Sequence, residues 1–199
     1  MNDSFLEALA SPEQPVPGGG AAAAHTALVG LSLLQKIVGV ERLRHSGNEV
    51  MGSFWENLSA GVTNSSRLLH GLRNEDGKSY LRLAAAKSAG KNDAAISEAI
   101  AQAIECPAKI MEAAGEAMDL VLPAAEHCKN HMLSDLLVAA ELLGAARRGA
   151  CRIAQANLRL CADPILTAEY RERLTQIDSR GRDAFDRVEG AIRNRLNVR

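Results

Sequence analysis

The chain has 199 residues, of which 47% are apolar and only 3% aromatic, so it carries enough apolar mass for a core without disulfide staples. That mass is mostly Ala and Leu rather than the Val, Tyr and Phe of a β-sandwich, which predicts an all-α fold, read as one domain over 1–199. A formal net charge of −1 with no long basic run excludes the electrostatic footprint of a nucleic-acid binder, leaving a small molecule or another protein as partner.

In chain order, Ser4-Phe5-Leu6-Glu7 has the form of a capping box and predicts a short helix over Ser4 to Ala10. Pro15-Val16-Pro17-Gly18-Gly19-Gly20 stops it. A long helix follows from Gly20, apolar on most faces, ending between Gly39 and Gly47. Its run from Ala21 to Val40 is near membrane-spanning length. His25, Thr26, Ser32, Gln35 and Lys36 interrupt it and favour a bundle helix, with no membrane partner. From Asn48, apolar residues recur at three- and four-residue steps to a predicted end near Leu72. A shorter helix with Tyr80, Leu81 and Leu83 comes after Asp76, and Gly90 and Asn92 break the pattern before Ala94 to Ile104. Pro107 suits the first turn of another helix, Pro123 a kink, and Ser134 the N-cap of a long helix that runs to the stop at Asp163-Pro164. A last helix after Thr167 has a near-heptad seam, Tyr170, Leu174, Ile177, Gly181, Ala184 or Phe185, Val188 and Ile192, suited to packing within the bundle or across a dimer.

Cys106, Cys128, Cys151 and Cys161 show no Cys-x-x-Cys spacing and fall in helical patterns, where free thiols behave as small core hydrophobes. With no basic-then-apolar leader at the start of the chain, this suggests a reducing, cytoplasmic setting. His127 and His131 are four apart on one helix face, but no third ligand at a matching offset is evident, so no metal site is expected.

The Pro-rich turn, the three glycines and the alanines behind them make a helix N-terminus that a ligand backbone or anion can approach closely. The run is neither a Walker loop nor a dinucleotide fingerprint, since no Gly-Lys-Ser/Thr closes it and no β-branched strand precedes it. A plain flexible turn is the alternative reading.

The Phe5-Leu6-Glu7-Ala8-Leu9-Ala10-Ser11 opening, the Val16-Pro17-Gly18-Gly19-Gly20-Ala21-Ala22-Ala23 turn, and the Ser134-Asp135 helix ending in Ala156-Asn157-Leu158 together resemble the formiminotetrahydrofolate cyclodeaminase and methenyltetrahydrofolate cyclohydrolase family. The resemblance implies an all-α homodimer acting on one-carbon units carried by tetrahydrofolate, with no metal and no cofactor beyond that substrate. It matches Pro17, Gly18, Gly19 and Gly20 to the family's glycine turn, Asp76 to an acidic residue opening a helix, and Asp135 to the acidic residue after a capping serine. Arg148 and Asn157 match polar positions on the same later helix.

These types suit the implied chemistry, which needs an acid–base group, a polar anchor for a pterin, and cations or helix N–H groups for carboxylates. Each has a plainer reading: Asp135 and Asp76 as helix-end charges, Arg148 as a solvated cation, Asn157 as a satisfied buried amide. His25, one turn beyond the glycines, reads as a core histidine or an acid–base group. The family's lysine run after the first long helix is replaced by Leu43-Arg44-His45-Ser46-Gly47, where Arg44 alone keeps a firm positive charge. Asp135 and Asn157 share a helix face but stand about 33 Å apart, with Arg148 turned away, so they would serve opposite ends of a long site or two sites in a dimer. The alternatives left open are cyclohydrolase, cyclodeaminase, and a catalytically inactive member that binds a ligand or serves as a partner subunit.

Overall fold

The computed structural model describes residues 4–89 and 93–197. The described residues form α1 (Ser4–Ala10), α2 (Gly19–Arg44), α3 (Glu49–Ser88), α4 (Asp93–Asp119), α5 (Val121–His127), a 3-10 turn (Asn130–Met132), α6 (Leu133–Leu158) and α7 (Pro164–Asn197). No strand occurs among them.

Four long helices close a ring. α2 packs on α3, α3 on α4, α4 on α6, and α6 back on α2, while α7 covers the seam between α4 and α6. Cross-contacts give the directions. Gly19 lies by Ile153 and Gly30 by Ala139 and Leu142, so α2 and α6 are antiparallel. Gln35 bonds to Ser59 and Ala21 to Asp76, so α3 also runs against α2.

The seam of alanines is what lets these helices approach. Ala24, Ala27, Ala139, Ala140, Ala150 and Ala154 are all fully buried, and Leu31, Leu34, Trp55, Leu69, Ile104 and Leu136 fill the interior between the closely set backbones. α2 is long and apolar enough to cross a membrane, yet here it is one wall of the ring. Gly30 marks a close approach to the backbone of α6, where a Cβ would stand 3.0 Å from the carbonyl oxygen of Ala139.

Several local expectations are corrected. The helix from Asn48 does not end near Leu72 but continues through Asp76 to Ser88, because Leu69, Leu72, Ser79, Leu83 and Ala86 extend one buried stripe across the polar stretch. Pro107 lies inside α4 rather than in a first turn. Pro123 does not kink a continuous helix: α4 stops at Asp119 and α5 starts at Val121, so the interruption is at Leu120 and Pro123 lies in the first turn of α5. Met132, not Ser134, holds the N-cap position of α6. The last helix starts at Pro164, not after Thr167, because the Asp163 carboxylate caps it by accepting from the N–H groups of Ile165 and Leu166. Its seam, Leu174, Ile177, Gly181, Ala184, Val188 and Ile192, is buried within the chain. Gly90 and Asn92 lie outside the described residues.

Gly30→Val should destabilise the protein by about 2–3 kcal/mol in urea denaturation, because a backbone carbonyl cannot step aside for the new methyl groups. Gly39→Val, on the same helix but with open space at its Cβ position, should cost far less.

Candidate functional site

At one end of the ring, the N-terminus of α2 meets the middle of α3 and the last turns of α6. The Val16–Pro17 peptide bond is cis, and Gly18, extended at the N-cap position, offers no side chain to cap the helix. Four N–H groups of a first turn need partners from outside. Ala22 N–H returns to the Gly18 carbonyl at 2.9 Å, and Ala21 N–H donates to Asp76 Oδ2 at 2.9 Å. Those of Gly19 and Gly20 have no acceptor among the described residues.

Asp76 therefore caps a helix other than its own, from the middle of α3. Its carboxylate occupies the space that a side chain on Gly20 would need: a Cβ there would collide with Asp76 Oδ1. At Gly19 the obstacle is only the tip of Ile153, so the strict requirement for glycine falls on Gly20. Burial pushes the Asp76 carboxyl above its ordinary 3.8, and the Ala21 N–H, which favours the charged form, offsets part of that rise.

Asn157 reaches the same place through a defect in α4. Pro107 has no N–H, so the carbonyl four residues earlier, that of Ala103, has no helical donor. Asn157 Nδ2 supplies one at 2.6 Å. This fixes the amide, because only its nitrogen can donate, and leaves Oδ1 as a free acceptor.

Gly18, Gly19, Gly20, Asp76 and Asn157 line one cavity of about 280 Å³, together with Pro15, Val16, Ser79, Tyr80, Leu83, Ala103 and Ile153. Pro17 sits in the adjoining turn. The other candidates lie elsewhere. His25 stacks on Phe5 with ring centroids 4.2 Å apart and its Nδ1 is 3.2 Å from Arg73, an arrangement that pins α1 to the bundle. Arg44 is at the far end of α2, about 37 Å along the helix, bound to the fully buried Glu41 at 2.7 Å. Asp135 is exposed near the start of α6, toward that same far end, and Arg148 is exposed midway. The buried arginine is its neighbour Arg147, paired with Asp178 on α7. His127 packs edge-on against Phe54.

Sequence reasoning did not single out Ser79. The signal was its three-residue step from Asp76, one helical turn, which a predicted helix end near Leu72 concealed.

The family model for the formiminotransferase-cyclodeaminase domain matches residues 1–176. The chain belongs to this family. The crystal structure of a formiminotetrahydrofolate cyclodeaminase from Thermotoga maritima superposes with a TM-score of 0.89 at 18% identity, covering 98% of this chain and 97% of that one, a likeness of fold. No curated protein matches the chain in sequence.

Two predictions follow from the cap and its neighbour. A carboxyl whose pKa is raised by folding contributes most to stability below its unfolded pKa, and that contribution is lost as pH rises through the folded value above 3.8. Asp76→Asn keeps an acceptor for Ala21 N–H without the buried charge, so it should lack this pH slope and be at least as stable as the parent at neutral pH. Asp76→Ala should lose about 1–2 kcal/mol, measured by urea denaturation at acid and neutral pH. Pro107→Ala should stabilise α4 by restoring a backbone donor to Ala103, and a nuclear magnetic resonance signal from the Asn157 side-chain amide should then show faster hydrogen exchange.

Proposed function

We propose that this is a folate one-carbon enzyme working at the cavity beside the glycine turn, either hydrolysing 5,10-methenyltetrahydrofolate to 10-formyltetrahydrofolate or deaminating 5-formiminotetrahydrofolate. Family membership supports the folate class. The observation that carries the reading is Asp76, a buried carboxylate with a raised pKa, one oxygen held by a helix N-terminus and the other facing Gly20 at the cavity wall. A carboxyl lifted in this way suits proton transfer better than a solvated one.

In the hydrolysis, water oxygen adds to the methenyl carbon and passes a proton to Asp76. The bond from that carbon to N5 then breaks as N5 takes the proton from Asp76 and the adduct's hydroxyl proton passes to solvent, leaving the formyl group on N10. In the deamination, N10 adds to the formimino carbon and loses its proton, the departing nitrogen takes two protons, that one by way of Asp76 and one from solvent, and ammonia leaves with the methenyl bridge closed. Both reactions pass through a tetrahedral carbon and need one group that accepts and returns a proton. The unpaired N–H groups of Gly19 and Gly20 favour an electron-rich ligand atom at the helix end. Asn157 Oδ1 offers an anchor for a ring N–H.

One observation favours the second reading, a member that binds such a ligand without turning it over. His25 and Asp135, the other acid–base candidates, stand outside the cavity, and Asp76 is partly engaged as a cap.

The protein is also proposed to act as a homodimer in the cytoplasm. α2 leaves Val29 47% and Val40 40% exposed, and Val138 on the antiparallel α6 is 50% exposed, so a second copy of this face would cover apolar surface that the single chain does not. The four free thiols, three of them buried, suit a reducing compartment.

Absorbance decay of 5,10-methenyltetrahydrofolate, corrected for spontaneous hydrolysis, should be accelerated by the protein, and Asp76→Asn should lower turnover about a hundredfold with the fold intact. Binding of the folate without any turnover would select the second reading. For the dimer, sedimentation equilibrium should return twice the chain mass at micromolar concentration, and Val29→Glu should return the monomer.

A further inference from the structure

The chain has one Trp, two Tyr and three Phe, and among the described residues the fold gives all but one of them a partner. Phe5 stacks on His25, and Phe54 meets both Trp55 and His127 edge-on. Tyr170 donates its hydroxyl to Glu105, and Tyr170 and Phe185 pack on the core. Tyr80 does none of this. It lies 51% exposed on α3, with no hydrogen bond, ring contact or core packing among the described residues.

A single exposed aromatic is ordinary on a protein surface. Tyr80 differs in where it stands, as the one aromatic side chain in the wall of the cavity at the glycine turn. That cavity, of about 280 Å³, is at the small end for a ligand pocket, since these start at roughly 300 Å³. It has room for a pterin and leaves the rest of a folate outside. With a ring N–H at the half-buried Asn157 on α6 and the reacting carbon at Asp76 on α3, the remainder of the ligand leaves past the exposed Tyr80.

The lengths agree. Asp76 and Tyr80 are four residues apart on α3, about 6 Å along the helix and about 40° around it. In methenyltetrahydrofolate, N10 joins the reacting carbon to the p-aminobenzoyl ring, whose centre is three bonds, roughly 4 Å, from that carbon. A ring so placed comes within reach of the Tyr80 ring, since aromatic pairs stack with centroids roughly 4.5–7 Å apart. The glutamate beyond it then faces water, as its carboxylates require.

Resting on the folate reading of the cavity, we propose that Tyr80 is a ligand-contacting residue whose ring stacks on the p-aminobenzoyl ring of the substrate. Asp76 stays free for the reacting carbon and Asn157 for the pterin. The contact also sets substrate class, because a bare pterin has no second ring to offer and gains nothing from Tyr80.

The test uses the full chain, ring-labelled at tyrosine, with 5-formyltetrahydrofolate as a stable probe. There are only two tyrosine signals to separate, and Tyr170→Phe assigns them. Nuclear Overhauser contacts should join the Tyr80 ring to the p-aminobenzoyl protons of the bound probe. Contacts to the pterin C7 protons alone, or to neither group, would overturn the proposal while leaving the folate reading in place. In calorimetry, Tyr80→Phe should keep the affinity within about twofold, and Tyr80→Leu, of similar bulk but without a π face, should weaken it about fivefold. Leucine favours a helix and the site is exposed, so an unchanged Tm should accompany that loss. Wild-type affinity in Tyr80→Leu, or a loss in Tyr80→Phe as large as in Tyr80→Leu, would overturn the stacking role. A wild type that does not bind the probe at all would remove the folate reading, and the role of Tyr80 with it.

Discussion

The hydrogen bond from Ala21 N–H to Asp76 ties the opening of one helix to the middle of another, and the candidate site is organised around it. A helix that begins at glycines has no side chain of its own to satisfy its first turn, so the cap must come from a neighbour. Asp76 supplies it only because Gly20 leaves the space, and the carboxylate is thereby drawn out of water far enough for its proton affinity to rise. One placement of the carboxylate has two opposed effects, burial raising its proton affinity and the Ala21 N–H that it caps offsetting part of that rise. A residue at position 20 with any side chain would remove both.

A second departure from regular helix geometry completes the site. Pro107 interrupts the backbone ladder of α4 without ending the helix, since the packing of α4 on α3, α6 and α7 holds it on both sides of the break. The carbonyl of Ala103, deprived of a donor, fixes the Asn157 amide in one orientation. Backbone groups left without helical partners in α2 and α4 thus fix the side chains of Asp76 on α3 and Asn157 on α6, which is how a bundle of otherwise regular elements acquires a defined polar pocket. The antiparallel order of α2, α3, α4 and α6 brings residues near 20, 76, 103 and 157 to one level of the ring.

The site was partly legible from sequence. The glycine turn stood out because three consecutive glycines before an apolar helix leave few physical readings, and Asp76 and Asn157 entered through the family resemblance rather than through spacing. Asp135 and Arg148 were candidates on the same grounds, Arg44 as the cation left where the chain departs from the family's lysine run and His25 by its place one turn beyond the glycines, and the fold carries them to the opposite end, the outer surface, or a ring stack with Phe5. Linear order gives no hint of this division, because residues 135 and 157 share one helix and one face yet lie at its two ends. Ser79 was hidden for another reason: a polar stretch around Asn74, Glu75 and Asp76 imitates a helix end, and only burial of the stripe on either side shows that it is not one.

The sequence by itself determined the helical class, the short first helix, the glycine-led start of α2, the stop at Asp163-Pro164 and the apolar seam of α7, since each depends on propensity, capping or periodicity within a few residues. Only the tertiary structure decided that α3 runs unbroken for 40 residues, that Pro107 lies within a helix, and that Asp76 serves the first turn of α2 from 55 residues away. These outcomes follow from packing energy gathered over whole helix faces. It exceeds the local preference of a few polar residues or one proline, and no window of sequence contains it.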